Sequence, residues 1–186
     1  MLEGMKRLLV AAAALSFVVT LSAAAQMGEM AGMDHGKAAP KKMGEPSTSL
    51  TVKTEAGKTL VLSLEDLKAL PQQTLTAHNG HSGKDESYSG PLLSDVLAKA
   101  GIVLTSETEH PMLHEYMVAT GTDKYYAVYS LAEVEPGLHK AQVIVAIRRD
   151  GEMLRESGQF ELINSGDLKP NRWVHNVASV VVRTVQ

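Results

Sequence analysis

The chain has 186 residues, of which 44% are hydrophobic and 21% charged, a composition typical of a folded domain rather than a disordered chain. Its length fits one domain with short appendages. The formal net charge of −3 and the 4% aromatic content argue against a nucleic-acid partner, which would require a basic surface and stacking side chains. The sequence contains no cysteine, which excludes disulfides, thiolate catalysis, iron–sulfur clusters and any cysteine ligand to zinc or molybdenum.

The N-terminus has the three-part pattern of a secretory signal peptide. Lys6 and Arg7 form a short positive segment, residues 8–21 are almost wholly apolar, and small residues follow up to Ala25. The apolar run is short for a membrane span, which needs about 20 residues, and this favours cleavage over a permanent anchor. We therefore expect residues 1–25 to be a signal peptide, so that the mature protein is periplasmic or secreted and has no membrane anchor.

Residues 26–47 have a different composition, rich in Gly, Ala, Lys, Pro and Met and without large aliphatic side chains. Such a segment cannot bury enough apolar surface to fold alone, so we predict a disordered tether. It carries regularly spaced methionines and a nearby histidine, namely Met27, Met30, Met33 and His35. Thioether sulfur is a soft ligand that favours Cu(I), which makes these residues candidate copper ligands. The alternative is a solubilising linker whose methionines have no function.

The folded domain is predicted to span residues 48–186. Period-two alternation predicts two strands, then a short helix that begins after Ser63 and ends before Pro71, a further strand, a polar loop and a second helix that ends at Gly101. The expected ranges are 49–54 and 58–62 for the first two strands, 72–77 for the third, 78–89 for the loop and 92–100 for the second helix.

The second half of the domain is predicted to consist mainly of strands. Their expected ranges are 115–120, 125–129, 142–148, 159–163 and 173–184. Ser130 and Glu133 offer a capping box for one more short helix. Strands outnumber helices, and most connections are too short for helical crossovers between parallel strands. The fold class is therefore α+β, with mixed or mostly antiparallel sheets and a few short helices.

Several segments of this domain resemble the sulfite-oxidase-type oxidoreductase molybdopterin-binding domain family. The matching segments are residues 62–71, 88–93, 97–101, 119–123, 126–131 and 166–174. They follow the family's order and cover roughly residues 49–183, with the strongest likeness to small, exported, stand-alone relatives. The resemblance implies a sulfite-oxidase-like molybdopterin-binding fold.

One departure from the family concerns the metal ligand. The resemblance implies that catalytic relatives hold molybdenum through a cysteine near the end of the strand predicted at 72–77, where this chain has Thr76 and Ala77. An alanine methyl cannot coordinate a metal, and a neutral imidazole from His78 would give the centre a different charge. Oxygen-atom transfer is therefore disfavoured. Any bound molybdenum would be attached through the pterin alone or through an unusual ligand, so the sequence leaves enzymatic activity open.

The resemblance also implies candidate cofactor-binding residues after that strand and in the segment before the last strand. They are His78, Asn79, Gly166, Lys169, Arg172 and His175. A guanidinium can donate two parallel hydrogen bonds to a phosphate, and a lysine offers a point charge. The alternative is that the late segment is a solvated, structural basic turn. His78 and His81 are three residues apart in a glycine-bearing turn, which is a poor zinc pattern and favours a structural turn.

Three functions follow from these observations. The preferred one is an exported, non-catalytic or accessory module that binds a small ligand or a periplasmic redox partner. The second is a molybdopterin-dependent oxidoreductase with altered metal ligation. The third is a periplasmic copper-binding protein that uses the N-terminal Met/His segment. A fold resemblance alone does not choose among them, because function resides in the site.

Overall fold

The computed structural model describes residues 44–104, 112–155 and 158–185. Within these residues the strands form three sheets, accompanied by short helices. The predicted α+β class is confirmed at this coarse level. No helix in the described ranges has the length and apolar character needed to cross a bilayer.

The largest sheet has five strands and contains both ends of the described domain. The strands are β1 (Ser49–Lys53), β2 (Thr59–Ser63), β5 (Glu115–Gly121), β6 (Tyr126–Ser130) and β11 (Val177–Thr184). Their order across the sheet is β2-β1-β11-β5-β6. The β1–β11 pair is parallel and the other pairs are antiparallel, so the sheet is mixed, as the sequence predicts.

Two smaller sheets complete the described strands. The four-stranded sheet has the order β3-β4-β8-β9 and comprises β3 (Gln72–Asn79), β4 (Lys84–Pro91), β8 (Arg148–Arg149) and β9 (Glu152–Met153). The two-stranded sheet pairs β7 (Val143–Ala146) with β10 (Glu161–Asn164) in antiparallel fashion. All eight residues of this pair are buried.

Two of the helices begin after a serine whose hydroxyl caps them, and one is followed by a glycine. Helix α1 (Leu64–Lys68) begins after Ser63 as predicted, and Ser63 and Asp66 form a capping box in which each side chain bonds the other's backbone N–H. Helix α2 (Leu93–Lys99) is followed by Gly101, whose φ of 88° suits glycine. Helix α3 (Leu131–Val134) is capped by the Ser130 hydroxyl, which accepts from the Ala132 N–H. A 3-10 helix, Pro170–Arg172, lies between β10 and β11.

The predicted polar loop at residues 78–89 is wrong, because β3 and β4 form a hairpin there with a short turn at residues 80–83. Strand β4 was not predicted because most of its side chains are polar. In β4 the side chains of Glu86 and Tyr88 pair with Asn79 of β3 through hydrogen bonds. A strand whose inward face is satisfied by polar partners lacks the apolar alternation on which the prediction depends.

Two other strand boundaries differ from the prediction. The strand predicted at 142–148 is divided into β7 and β8, and β8 forms a tight hairpin with β9. Positive φ angles at Asp150 (50°) and Gly151 (84°) make this the turn that an Asp-Gly pair favours. The last strand begins at Val177 instead of residue 173, because Asn176 has a φ of 51°, which interrupts extended backbone.

The buried pair β7–β10 lies between two hydrophobic clusters. Val145 and Leu162 belong to the larger cluster, together with side chains of β1, β5, β11 and α2. Ile144 and Ile163 point the other way and pack in the smaller cluster with Tyr88 and Trp173. The candidate site described below lies next to this smaller cluster, because Trp173 belongs to the cluster and also borders the site.

Candidate ligand-binding site

Two neighbouring cavities lie beside the β3–β4 turn. The first, which we call the lysine cavity, has a volume of about 460 Å³ and is lined by His78, His81 and Lys169 among others. The second, which we call the histidine cavity, has a volume of about 370 Å³ and is lined by His81, Asp123 and His175 among others. Both cavities share His81 and the first two residues of the 3-10 helix, so they meet at this helix.

Local contacts hold the walls of these cavities in place. A Cβ on Gly80 would lie 3.4 Å from Pro170 Cδ, so the β3–β4 turn packs closely on the 3-10 helix. The backbone N–H of His81 donates to Asn79 Oδ1 at 2.9 Å, which fixes the shape of the turn. The Tyr125 hydroxyl donates to the carbonyl of Asn171, which ties the 3-10 helix to the start of β6.

Next to the turn, Asn79, Glu86 and Tyr88 form a cluster of hydrogen-bonded polar side chains. The Asn79 side-chain amide donates to Glu86 Oε2 at 2.8 Å and contacts the Tyr88 hydroxyl at 3.3 Å. The Tyr88 hydroxyl donates to the same Glu86 oxygen at 2.6 Å. Burial, followed by the hydrogen bond to Glu86, raises the pKa of Tyr88 well above its ordinary value. Burial alone would raise the pKa of Glu86, but the hydrogen bonds from Tyr88 and Asn79 outweigh it and lower that pKa.

His175 lines the histidine cavity and also contacts a buried carboxylate. Its Nδ1 lies 2.7 Å from Oε1 of Glu161, which is fully buried in β10. The contact is an ion pair rather than a well-aligned hydrogen bond, and neither Glu161 oxygen has a hydrogen-bond partner among the described residues. The close polar contact with Glu161 raises the pKa of His175 above its ordinary 6.5, although burial opposes the shift. The second ring nitrogen, Nε2, is not used in this contact.

Arg172 makes a different set of contacts. Its guanidinium bonds Glu133 through two nitrogens, at 2.6 and 3.2 Å, and also bonds Asp167. The bonds to Glu133 and Asp167 raise the pKa of Arg172. The guanidinium carbon also lies 4.8 Å from the centre of the Tyr129 ring. The positive charge of Arg172 is thus paired with two carboxylates of the same chain. Its contact with a cofactor phosphate stays a prediction.

The six predicted cofactor-binding residues therefore fall into separate places. His78, Lys169 and His175 line the two cavities. Asn79 is buried behind the turn. Gly166 packs against Ala141, whose Cβ would lie 2.6 Å from a Cβ on the glycine. The four predicted copper ligands, Met27, Met30, Met33 and His35, lie outside the described residues.

Sequence reasoning missed three features of the site. His81 joins both cavities, whereas the sequence offered it only as one half of a poor zinc pattern. Asp123 lines the histidine cavity from the β5–β6 turn. The third feature is the contact of Glu161 with His175. Glu161 is unusual in the sequence because it is an acidic residue within the apolar run from Phe160 to Ile163, but nothing local points to His175, fourteen residues away.

The residues at this site do not provide the metal ligation of the catalytic relatives. Thr76 is exposed and Ala77 is half-buried at the place where the resemblance implies a cysteine, and the chain has no thiolate to supply. In the part of the chain that the structure describes, no group of three or more His, Asp or Glu side chains can hold a metal ion. The lysine cavity does suit an organic anion in size and charge, since drug-sized ligands occupy cavities of roughly 300–1,000 Å³.

No family model matches the sequence, and no curated protein matches it. Among solved structures, the sulfane dehydrogenase SoxCD from Paracoccus pantotrophus is similar in fold, with a TM-score of 0.56 and 22% sequence identity. The similarity covers 74% of this chain and 39% of the SoxCD chain, so this chain spans well under half of that protein's length. At this identity the likeness shows the fold alone, which is molybdopterin oxidoreductase-like at the coarse level.

Proposed function

We propose that this chain is an exported, non-catalytic or accessory module that binds a small organic anion in the lysine cavity. The proposal rests chiefly on one observation. A molybdopterin oxidoreductase-like fold presents a lysine and two imidazoles in a cavity of about 460 Å³, while the whole chain lacks a thiolate with which to hold molybdenum. Export is inferred from the signal-peptide pattern of residues 1–25.

The charges around the lysine cavity favour an anion. Lys169 precedes the 3-10 helix and lines the cavity with no salt bridge shown among the described residues. His78 Nδ1 lies 2.9 Å from Asp85 Oδ1, which leaves the other ring nitrogen for a ligand. His81 adds a second imidazole that can donate or accept a hydrogen bond. A phosphate or carboxylate group with an attached ring would satisfy these donors and contact the apolar part of the wall.

The first prediction tests the anion site. Lys169→Gln should weaken binding of a phosphorylated pterin about tenfold, because it removes a charge-assisted hydrogen bond while leaving a side chain of similar length. Isothermal titration calorimetry of the full chain measures the effect. Lys53→Gln is the matched control, since Lys53 is an exposed lysine on β1. Equal affinity in the Lys169 and Lys53 variants would show that Lys169 does not contribute to anion binding.

One observation supports the second candidate function, a molybdopterin-dependent oxidoreductase with altered ligation. His78 lies at the end of β3, in the region where the resemblance implies the metal ligand, and its ring lines the lysine cavity. If molybdopterin binds, Lys169 and His81 would contact its organic part and His78 would be the nearest candidate ligand. His78→Ala would then remove molybdenum, whereas under the anion-binding proposal no molybdenum is present to lose.

A further inference from the structure

The five-stranded sheet has one face that packs on the larger hydrophobic cluster and a second face that does not. Side chains alternate between the two faces along each strand, so Leu50 and Val52 of β1 are buried while Thr51 between them is only partly buried. We call the second face the outer face. Its apolar members belong to neither hydrophobic cluster of the described residues, and they are Val61, Tyr116, Val118, Tyr126, Val128 and Val181.

The strand register brings these side chains together across the sheet. Val181 of β11, Val118 of β5 and Val128 of β6 lie opposite one another in successive strands. In the next row of the same face, Thr120 lies opposite Tyr126. The outer face is therefore a continuous surface of Val, Thr, Ser and Tyr side chains and not a set of scattered apolar residues.

Charged residues are scarce on the outer face, although the solvated face of a sheet is normally polar. Among the described strand residues it carries only Lys53 and Arg183, both near one end, and the Arg183 guanidinium lies 3.6 Å from Glu55. The large side chains of Tyr126 and Val128 are 65% and 48% exposed. Removing such side chains from water is favourable, so the outer face is suited to a contact surface.

The area of the outer face can be compared with the area that a dimer needs. Each of the five strands contributes three side chains to it. With strands about 4.8 Å apart, this gives a surface of about 24 by 20 Å. Two copies packed through this surface would bury about 1,000 Å² in total, which is about the lower limit for a specific interface. Two sheets pack in this way in β-sandwiches, at a separation of about 10 Å.

Charge and composition favour a second copy of this chain over other occupants. Because the two cations lie near one end of the outer face, two copies can pack without bringing like charges to its centre. The hydroxyl side chains of Thr51, Thr120 and Ser179 suit another sheet, which can accept hydrogen bonds, better than the hydrocarbon of a membrane. In the predicted mature chain, segments 26–43 and 105–111 contain no Val, Leu, Ile or aromatic residue with which to cover the face.

We propose that the protein forms a symmetric dimer in which the outer faces of two copies pack together. The proposal goes beyond anion binding and is independent of it, because the lysine cavity is formed by the β3–β4 turn and the segment around the 3-10 helix, outside the five-stranded sheet. An interface of about 1,000 Å² is small, so we expect the dimer to dissociate in the micromolar range.

Sedimentation velocity of the full chain over a micromolar concentration range measures the dimer. Val128→Lys and Val61→Lys each place a charge on the outer face, on the two edge strands β6 and β2. Each substitution should weaken dimerisation at least about tenfold, because the ammonium group would lose water without gaining a partner. Val103→Lys is the matched control, since Val103 is exposed and lies after α2, outside the sheet. It should leave the dissociation constant unchanged.

A thiol footprint gives a second measurement, because the chain has no cysteine. Val118→Cys puts a single thiol on the outer face, on the interior strand β5. Its rate of alkylation should fall as the protein concentration rises and the face becomes buried. Val103→Cys is the control and should react at a rate that does not depend on protein concentration.

The exposed positions of the lysine variants make misfolding a separable cause, since all three should unfold at the same urea concentration when compared as monomers. A wild-type protein that is monomeric at every concentration would overturn the proposal, as would a dimer that survives both Val61→Lys and Val128→Lys. Loss of the dimer in Val128→Lys but not in Val61→Lys would also overturn it, because the copies would then pair through the edge of β6 instead of the outer face.

Discussion

Replacing Trp173 with alanine should lower the free energy of unfolding by about 4 kcal/mol, the cost typical of truncating a large buried aromatic side chain. Trp173 is 2% exposed, and its ring packs edge-on against Tyr88 at a centroid distance of 5.4 Å. Its indole N–H donates to the carbonyl of Asn164 at 3.3 Å, so the variant also removes a buried hydrogen bond. Urea unfolding of the two proteins measures the difference.

Leu168→Ala is the control for this variant, because Leu168 lies five residues away and is 97% exposed. A change of at most about 0.5 kcal/mol is expected there. A loss of less than about 1 kcal/mol in Trp173→Ala would contradict the placement of this ring in the core beside the cavities.

The second large effect concerns the ion pair of His175 and Glu161. His175→Ala should lower the free energy of unfolding by about 2 kcal/mol, because it leaves the fully buried Glu161 carboxylate without its partner. The effect is smaller than for a fully buried pair, since the His175 side chain is 42% exposed and water screens it. Adding Glu161→Gln to this variant should recover part of the loss, because the uncompensated charge is then gone.

The same pair predicts a pH dependence with a definite sign. Because its folded-state pKa is raised above 6.5, His175 contributes stability that is fully present below pH 6.5 and is lost as the pH rises through the raised value. The difference in unfolding free energy between the wild type and His175→Ala should therefore be largest at pH 6.5 or below and should shrink at higher pH. A difference that grows with pH, or a double variant less stable than His175→Ala, would contradict this account of the pair.

The outline of the fold could be predicted because most elements carry local signals. Apolar alternation predicted β1 and β2, a hydroxyl followed by acidic residues predicted α1, and Gly101 predicted the end of α2. Strand β4 could not be predicted in this way, because most of its side chains are polar and Glu86 accepts hydrogen bonds from Asn79 and Tyr88. That arrangement depends on residues of β3 and β4 together and leaves no apolar alternation in β4.

The candidate site was harder to predict from the sequence than the fold. The family resemblance singled out Lys169 and His175, and both line the cavities. It also singled out Arg172, but a basic residue in a matching segment does not reveal that Glu133 and Asp167 pair with it in the folded chain. The contact between Glu161 and His175 joins residues from β10 and the segment before β11, and such a pairing is fixed only by the tertiary structure.

We propose that this chain, which has a molybdopterin oxidoreductase-like fold at the coarse level, binds an organic anion without molybdenum. The most direct test is elemental and organic analysis of the full chain purified from its source organism. We predict less than a stoichiometric amount of molybdenum, and an anionic organic compound whose content falls in a Lys169→Gln protein prepared in parallel. One molybdenum per chain, lost on His78→Ala together with oxidoreductase activity, would contradict the account.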